Sequence, residues 1–402
     1  MTSTILSISQ PELGYYTCNN VIFTSKIQAC IYGTTHKIPV NWYFNDDVFG
    51  QYPWHIEPTA SLDELYDRRA REIREKYDYV MLAFSGGGDS NNVLESFLRQ
   101  GLLIDEVVTN VMEDCNSVTV FNPTVINNWN EAAEFKFQTV GRLEHIKNVS
   151  PTTKITVLDA SSQVSNFFAE QKDESWLNFT RERLNVSGLL RHNFIHFANV
   201  RKEFDKGKTI AMVLGIEKPR TRIDKHGVFT MFFGDQAVNI ATVQEFVADY
   251  SNAFIENFYW HPTCADLIAK QVHIIKQFLE KTPALIPCWT PSISGDFQKM
   301  YRSVHERVLR PLLYPSTWHA NYWQANKSTL DWYSEIDNWF LAGFKDTKEY
   351  RIWYAGLQYV KTHAKDYMKL STGNTKYDDQ NVGLRPFIKE YTVGKIMPQI
   401  LN

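Results

Sequence analysis

The sequence predicts an α/β fold, a parallel sheet with helices on both faces, followed by a mainly helical C-terminal region. Three observations carry this expectation. Short apolar runs at residues 79–84, 105–111, 154–159 and 209–215 read as buried strands. Helical patterns fill the intervals between them, at residues 91–98, 130–147 and 189–204, and strands alternating with helices mean right-handed crossovers in one parallel sheet. From residue 242 to about residue 363 the pattern becomes helical and rich in Trp and Tyr.

In chain order, residues 1–58 read as a small strand-rich lead-in, with β-like pieces at Asn20-Val21-Ile22-Phe23-Thr24 and Ala29-Cys30-Ile31-Tyr32-Gly33. Ser61, with Glu64 at the third helical position, has the pattern of a capping box and opens an amphipathic helix over residues 62–76. The first strand follows at Tyr79. After the fourth strand, residues 221–234 read as a hairpin turning near Lys225-His226-Gly227. Pro283, Pro287 and Pro291 split the helical half, which is irregular around Pro311 and Pro315; a helix is expected from about Ala265 to Leu279. The expected units are a lead-in at 1–58, an α/β domain at 59–240 and a mainly helical domain at 241–402, with no repeat of fixed period.

Composition sets the outer limits. The 402 residues give room for two domains, and 44% hydrophobic with 22% charged residues describe an ordinary globular chain. The aromatic content of 14% suits a well-packed interior or a groove for flat ligands. A formal charge of −3 provides no field that draws a polyanion to the whole surface, so nucleic acid is not indicated as a partner, a local basic patch aside. Cys18, Cys30, Cys115, Cys264 and Cys288 are odd in number and never form a Cys-x-x-Cys pair, which fits a reducing cytoplasm. No run is long enough for a membrane span, and the start Met1-Thr2-Ser3-Thr4-Ile5-Leu6 lacks the pattern of a secretory signal.

The most specific feature is Ser85-Gly86-Gly87-Gly88-Asp89-Ser90, between the first strand and the helical stretch that follows. Three glycines free the turn of Cβ atoms, so several N–H groups can converge on an anion. Ser90 is a natural N-cap for the next helix, whose positive end would face the same group. Asp89 stands where a Walker A loop needs Lys, and no third glycine arrives at the dinucleotide-fingerprint step. The hexapeptide resembles the Ser-Gly-Gly-x-Asp-Ser signature of the PP-loop ATP pyrophosphatases, the adenine-nucleotide alpha-hydrolase-like superfamily, and all six positions match. The resemblance covers about residues 77–235. It implies a Rossmann-like (HUP-like) domain in which the loop holds the ATP phosphates with Mg2+ and ATP is cleaved to AMP and pyrophosphate. It also implies that Ala83 and Phe84, with Thr109 and Asn110 at the end of the second strand, lie beside adenine and ribose.

Asp89 is the candidate ligand for Mg2+, because hard carboxylate oxygen suits that ion. Asp235 is a weaker acidic candidate that a helix N-cap would explain equally well. In Leu214-Gly215-Ile216-Glu217-Lys218-Pro219-Arg220-Thr221-Arg222, Gly215 permits close backbone approach, while Lys218, Arg220 and Arg222 set three cations near the carboxyl edge of the sheet. Cations there would neutralise a pentavalent α-phosphate or bind an acidic substrate. The stretch is similar to the Gly-Ile-Arg-Arg segment of phosphoadenylylsulfate reductases, from which Glu217 and Pro219 depart. His261, Cys264 and His273 have metal-ligand chemistry but lack the second pair that a zinc site needs. Cys115 is the candidate thiolation nucleophile, and a small buried thiol is its alternative reading.

Other segments, among them Asn257-Phe258-Tyr259-Trp260-His261-Pro262, resemble PP-loop proteins of large tailed phages that are labelled asparagine synthase-like, which would place the chain in a host cytoplasm. The leading expectation is an ATP pyrophosphatase that adenylylates a carboxylate or carbonyl oxygen of a small-molecule or modified-nucleotide substrate and passes it to an amine. The start does not read Met-Cys, so the nucleophile of a glutamine amidotransferase is missing and the amine must come directly. Sulfonucleotide-reductase-like or thiolation chemistry is one alternative, and a non-catalytic nucleotide-binding protein is another. A homo-oligomer stays open.

Overall fold

The computed structural model describes residues 10–111, 135–179, 184, 198–216, 218–235, 251–291, 304–318, 335–370 and 382–396. Elements are numbered along these residues. In the lead-in, β1 (Tyr15–Cys18) pairs antiparallel with β2 (Val21–Phe23) and β3 (Asn41–Tyr43). Between β2 and β3 lies α1 (Lys26–His36), so the expected strand at residues 29–33 is a helix. Its buried positions Lys26, Ile27, Ala29, Cys30, Gly33 and Thr34 recur at helical spacing, and the Ser25 hydroxyl caps it by accepting from the Gln28 amide. A short apolar run does not separate helix from strand by itself, and the cap with the burial stripe decides it here.

The helix expected after Ser61 is α2 (Leu62–Lys76), closed at its start by the Ser61–Glu64 capping box. Leu62, Leu65, Tyr66, Arg69, Ala70 and Ile73 form its buried stripe. The central sheet contains β4 (Tyr79–Ala83), β5 (Glu106–Val111), β6 (Lys154–Asp159), β7 (Ile210–Leu214) and β10 (Ala253–Asn257), all parallel. The four strands expected from the sequence are present, and β10 adds a fifth inside the stretch read as helical. Helices α3 (Gly88–Leu98), α4 (Val140–Val149), α5 (Ala160–Glu170) and α6 (Ala198–Asp205) alternate with these strands and flank the sheet. Helical patterns expected at residues 130–134 and 189–197 lie outside the described residues.

In space the strands run β6-β5-β4-β7-β10. The chain therefore moves outward from β4 to one edge, returns, and continues on the other side from β7. Order reverses between β4 and β7, which is where an open α/β sheet leaves a crevice at the carboxyl ends of its strands. The runs in β4 and β7 are buried on both faces, as strands covered by helices must be.

The expected hairpin is β8 (Arg220–Ile223) and β9 (Val228–Gly234); Gly227 takes a positive φ of 74° in its turn. Strand β13 (Ile388–Lys395), from the end of the chain, completes this antiparallel sheet on the other side of β9. A fully buried ion pair, Lys26 to Asp235 at 2.7 Å, ties α1 to the end of β9, and Asp235 also accepts from Tyr16 and from the Phe387 amide. This accounts for Asp235 as a structural acid. The C-terminal region is mainly helical, with α7 (Ala265–Lys281), α8 (Glu306–Leu313), α9 (Glu335–Gly343) and α10 (Lys348–His363), and a short β11–β12 pair (Met368–Leu370 and Val382–Leu384). Among the described residues no helix is long and apolar enough to cross a membrane.

Candidate anion-binding site

The glycine loop lies at the reversal point of the sheet. Strand β4 ends at Ala83, opposite Val108 of β5 and Leu214 of β7, and the Phe84 amide donates to the Val108 carbonyl at 2.8 Å. Gly86 adopts φ +74°, in the region open to glycine. A Cβ there would sit 2.8 Å from Thr139 Oγ1 and 2.9 Å from Thr139 Cα. Thr139 donates to the Ser85 carbonyl at 2.8 Å, and Gln138 donates to the Gly86 carbonyl. The turn before α4 therefore braces the outer side of the loop.

Ser90 is not the N-cap. Gly87 caps α3 and Ser90 is its third residue. The Ser90 hydroxyl instead turns back to donate to the Gly87 carbonyl at 3.2 Å and to accept from the Ser85 amide at 3.3 Å, while Ser85 Oγ accepts from the Gly87 amide at 3.2 Å. These bonds set the loop shape from within. The first i→i−4 bond of α3 runs from Asn91 to the Gly87 carbonyl, so the amides of Gly88, Asp89 and Ser90 precede the helical ladder. Such amides, at the positive end of an 11-residue helix, suit an anion.

Gly215, after β7, packs against this first turn. A Cβ at that position would lie 3.1 Å from Ser90 Cα and 3.2 Å from the Asp89 carbonyl oxygen. The close approach brings the following segment to the loop, and Lys218 Nζ reaches Asp89 Oδ1 at 2.6 Å. The Lys218 side chain is fully buried and that of Asp89 is 24% exposed. Tyr314 donates to the same carboxylate oxygen at 2.5 Å, and Tyr259 donates to the Asp89 carbonyl at 2.8 Å. Burial pushes the Asp89 carboxyl up, but the charges of Lys218 and Arg310, then hydrogen bonds from Lys218 and Tyr314, outweigh it and hold the pKa at about 2. Burial, followed by the nearby Asp89 charge and neighbouring tyrosines, pushes the Tyr314 hydroxyl well above its ordinary value, so it remains a donor.

Of the three cations expected at the sheet edge, Lys218 reaches the loop. Arg222 pairs with Glu390 of β13 and lies over the Phe232 ring on the small antiparallel sheet. Arg220, two residues earlier in β8, occupies the same strand face as Arg222. On β5, Thr109 is buried and Asn110 exposed; Val108 is level with Ala83, so both lie just beyond the end of β4. Glu217 and Cys115 lie outside the described residues. His261 engages Thr263 in the turn that starts α7, Cys264 is buried, and His273 contacts the Trp54 carbonyl at 3.0 Å. Among the described residues no three His, Cys, Asp or Glu side chains group as metal ligands.

Residues to which the sequence assigned no role complete the site. Arg310 and Tyr314, at the end of α8, face Gly88 and Asp89, and Thr317 donates to Asn92 of α3 at 2.9 Å. Tyr259 follows β10 and is held by Asn92 at 3.1 Å. Behind it, buried Glu256 of β10 receives Arg69 at 2.5 Å and Lys76 at 2.9 Å, which anchors α2 to the strand leading to Tyr259. Compared with models of protein families and with curated proteins, the chain matches none.

Proposed function

We propose that this protein is an ATP-binding PP-loop enzyme that cleaves ATP to AMP and pyrophosphate and thereby adenylylates a carboxylate or carbonyl oxygen of a second substrate for C–N bond formation. The observation that carries the reading is the coincidence of the Ser85–Ser90 loop with the β4/β7 reversal of strand order. Phosphates would lie on the amides of Gly88, Asp89 and Ser90, which precede the helical ladder of α3. Lys218 would supply positive charge to the phosphates from the β7 side. Positions 83, 84, 109 and 110, at the ends of β4 and β5, would border the nucleoside.

Asp89 is one ionised carboxylate, a donor set that suits Mg2+ arriving on ATP phosphates rather than a cage made by protein alone. When bound, such an ion supplies charge neutralisation on the phosphate oxygens. The chain's own contribution is positional: the loop orients the polyphosphate, Lys218 offsets its charge, and Tyr314 holds Asp89 in place.

One observation favours a second reading, a nucleotide-binding protein without turnover. Asp89 Oδ1 is already engaged by both Lys218 and Tyr314. Calorimetry with Mg2+ and ATP, comparing the wild type with Ser85→Ala, followed by nucleotide analysis of the same samples with a metabolite mixture, separates the readings. The expected result is ATP binding weakened about tenfold in the variant, as loss of a loop hydrogen bond implies, with AMP formed by the wild type. ATP binding without AMP supports the second reading. Absence of ATP binding by the wild type overturns both.

A further inference from the structure

We propose that Arg310 is a second phosphate-binding cation of the loop site, contributed by the helical region, and that it holds the pyrophosphate end of the nucleotide. The proposal rests on the reading of the loop as an ATP site. The position of the side chain leads to it. The direction in which Gly88 lacks a Cβ points at Arg310: an added Cβ would lie 3.5 Å from its Cδ and 3.7 Å from its Nε. The arginine therefore lies along the first turn of α3, where the amides outside the helical ladder begin.

The electrostatics point the same way. A cation at a helix N-terminus is opposed by the helix dipole, so a guanidinium packed there is better accommodated when both share an anion. Asp89, in the first turn of α3, is one such anion. On its own helix Arg310 forms an i,i+4 ion pair with Glu306, whose Oε2 is 3.8 Å from Nη2. The planar guanidinium fork matches a phosphate better than an ammonium does. Only 12% of the Arg310 side chain is exposed, so its charge acts where water screens it weakly.

The end of α8 is also fastened to the loop at two further points. Tyr314 bonds Asp89 Oδ1 at 2.5 Å and Thr317 bonds Asn92 Oδ1 at 2.9 Å. These are positioning residues: they hold Arg310 against α3. In the adenylylation step the substrate oxygen forms a new bond to the α-phosphorus, and the bond from that phosphorus to the bridging oxygen breaks. The electron pair leaves with pyrophosphate, where Arg310 meets the growing negative charge.

The test is calorimetry of the full chain with inorganic pyrophosphate, ATP and AMP, each with Mg2+, for the wild type, Arg310→Gln and Glu306→Gln. Thermal melts establish that each variant is folded. Arg310→Gln is expected to weaken pyrophosphate and ATP binding about 10- to 100-fold, as for loss of a charge-assisted contact, and to change AMP binding little. Glu306→Gln, which removes a competitor for the guanidinium, is expected to tighten pyrophosphate binding and serves as the test if Arg310→Gln does not fold. Wild-type affinity for pyrophosphate in Arg310→Gln, or in Glu306→Gln if only that variant folds, overturns the role of Arg310 and leaves the ATP reading intact. Equal losses for AMP and pyrophosphate in Arg310→Gln also overturn it, because they indicate a general disturbance of the loop. Failure of the wild type to bind either ATP or pyrophosphate removes the ATP reading and this proposal with it.

Discussion

Asp89→Asn is the substitution whose consequence follows most directly from the site. It leaves the fully buried Lys218 ammonium facing a neutral amide. A carboxyl held at about 2 against an ordinary 3.8 corresponds to about 2 kcal/mol of native stability at neutral pH. With 24% of the Asp89 side chain in solvent, screening reduces the expected loss to about 1–2 kcal/mol. The folded pKa is the lower one, so the unfolded chain takes up the proton first. The contribution is complete above the ordinary 3.8 and is lost as the pH falls through about 2. Urea denaturation of wild type and variant at neutral pH, and then at stepwise lower pH, measures it. The gap should be largest at neutral pH and shrink in acid. Glu256, also held at about 2, contributes to both proteins alike and cancels in the difference. Adding Lys218→Met should recover most of the loss, because a buried charge without a partner is the costly state. A variant as stable as the wild type, or a gap that does not change with acid, would refute the assignment of Asp89 and Lys218 as a coupled buried pair.

Two further outcomes test the packing that holds the site. Gly86→Ala should destabilise the protein by about 3 kcal/mol, from the left-handed backbone and from displacing Thr139, and should weaken ATP binding with it; denaturation within about 0.5 kcal/mol of wild type would count against the loop geometry. Lys26→Met, which strands the Asp235 charge in a fully buried position, should cost about 3–5 kcal/mol in the same assay, and a loss below about 1 kcal/mol would show that the pair is solvated.

Some of this site is legible in the sequence alone, and the division follows the range of the interactions. Ser61 and Glu64 cap each other three residues apart, so the start of α2 was readable locally. The same holds for the β4 run and for the glycine hexapeptide. Strand β10 was not readable, because its apolar run carries Glu256, and the arginine that makes that acid tolerable, Arg69, is 187 residues away. Residues 29–33 are ambiguous locally, because an apolar pentapeptide fits either periodicity until the buried stripe of α1 is known. Arg222 had the right charge and neighbourhood for a phosphate site, yet strand pairing carries it to Glu390.

The sequence by itself determined the local chemistry: a loop of glycines and hydroxyls between strand and helix, an acid within it, and the α/β alternation that calls for a parallel sheet. Only the tertiary structure decided that the order reverses between β4 and β7, that Lys218 rather than Arg222 reaches the loop, and that Arg310 and Tyr314 complete it. The physical reason is distance along the chain. Caps, turns and strand runs are set by neighbours within a few residues, whereas the Asp89 carboxylate is met by Lys218 and Tyr314 across 129 and 225 residues. Those pairings exist because burial removes the competing water, and burial is a property of the assembled layers.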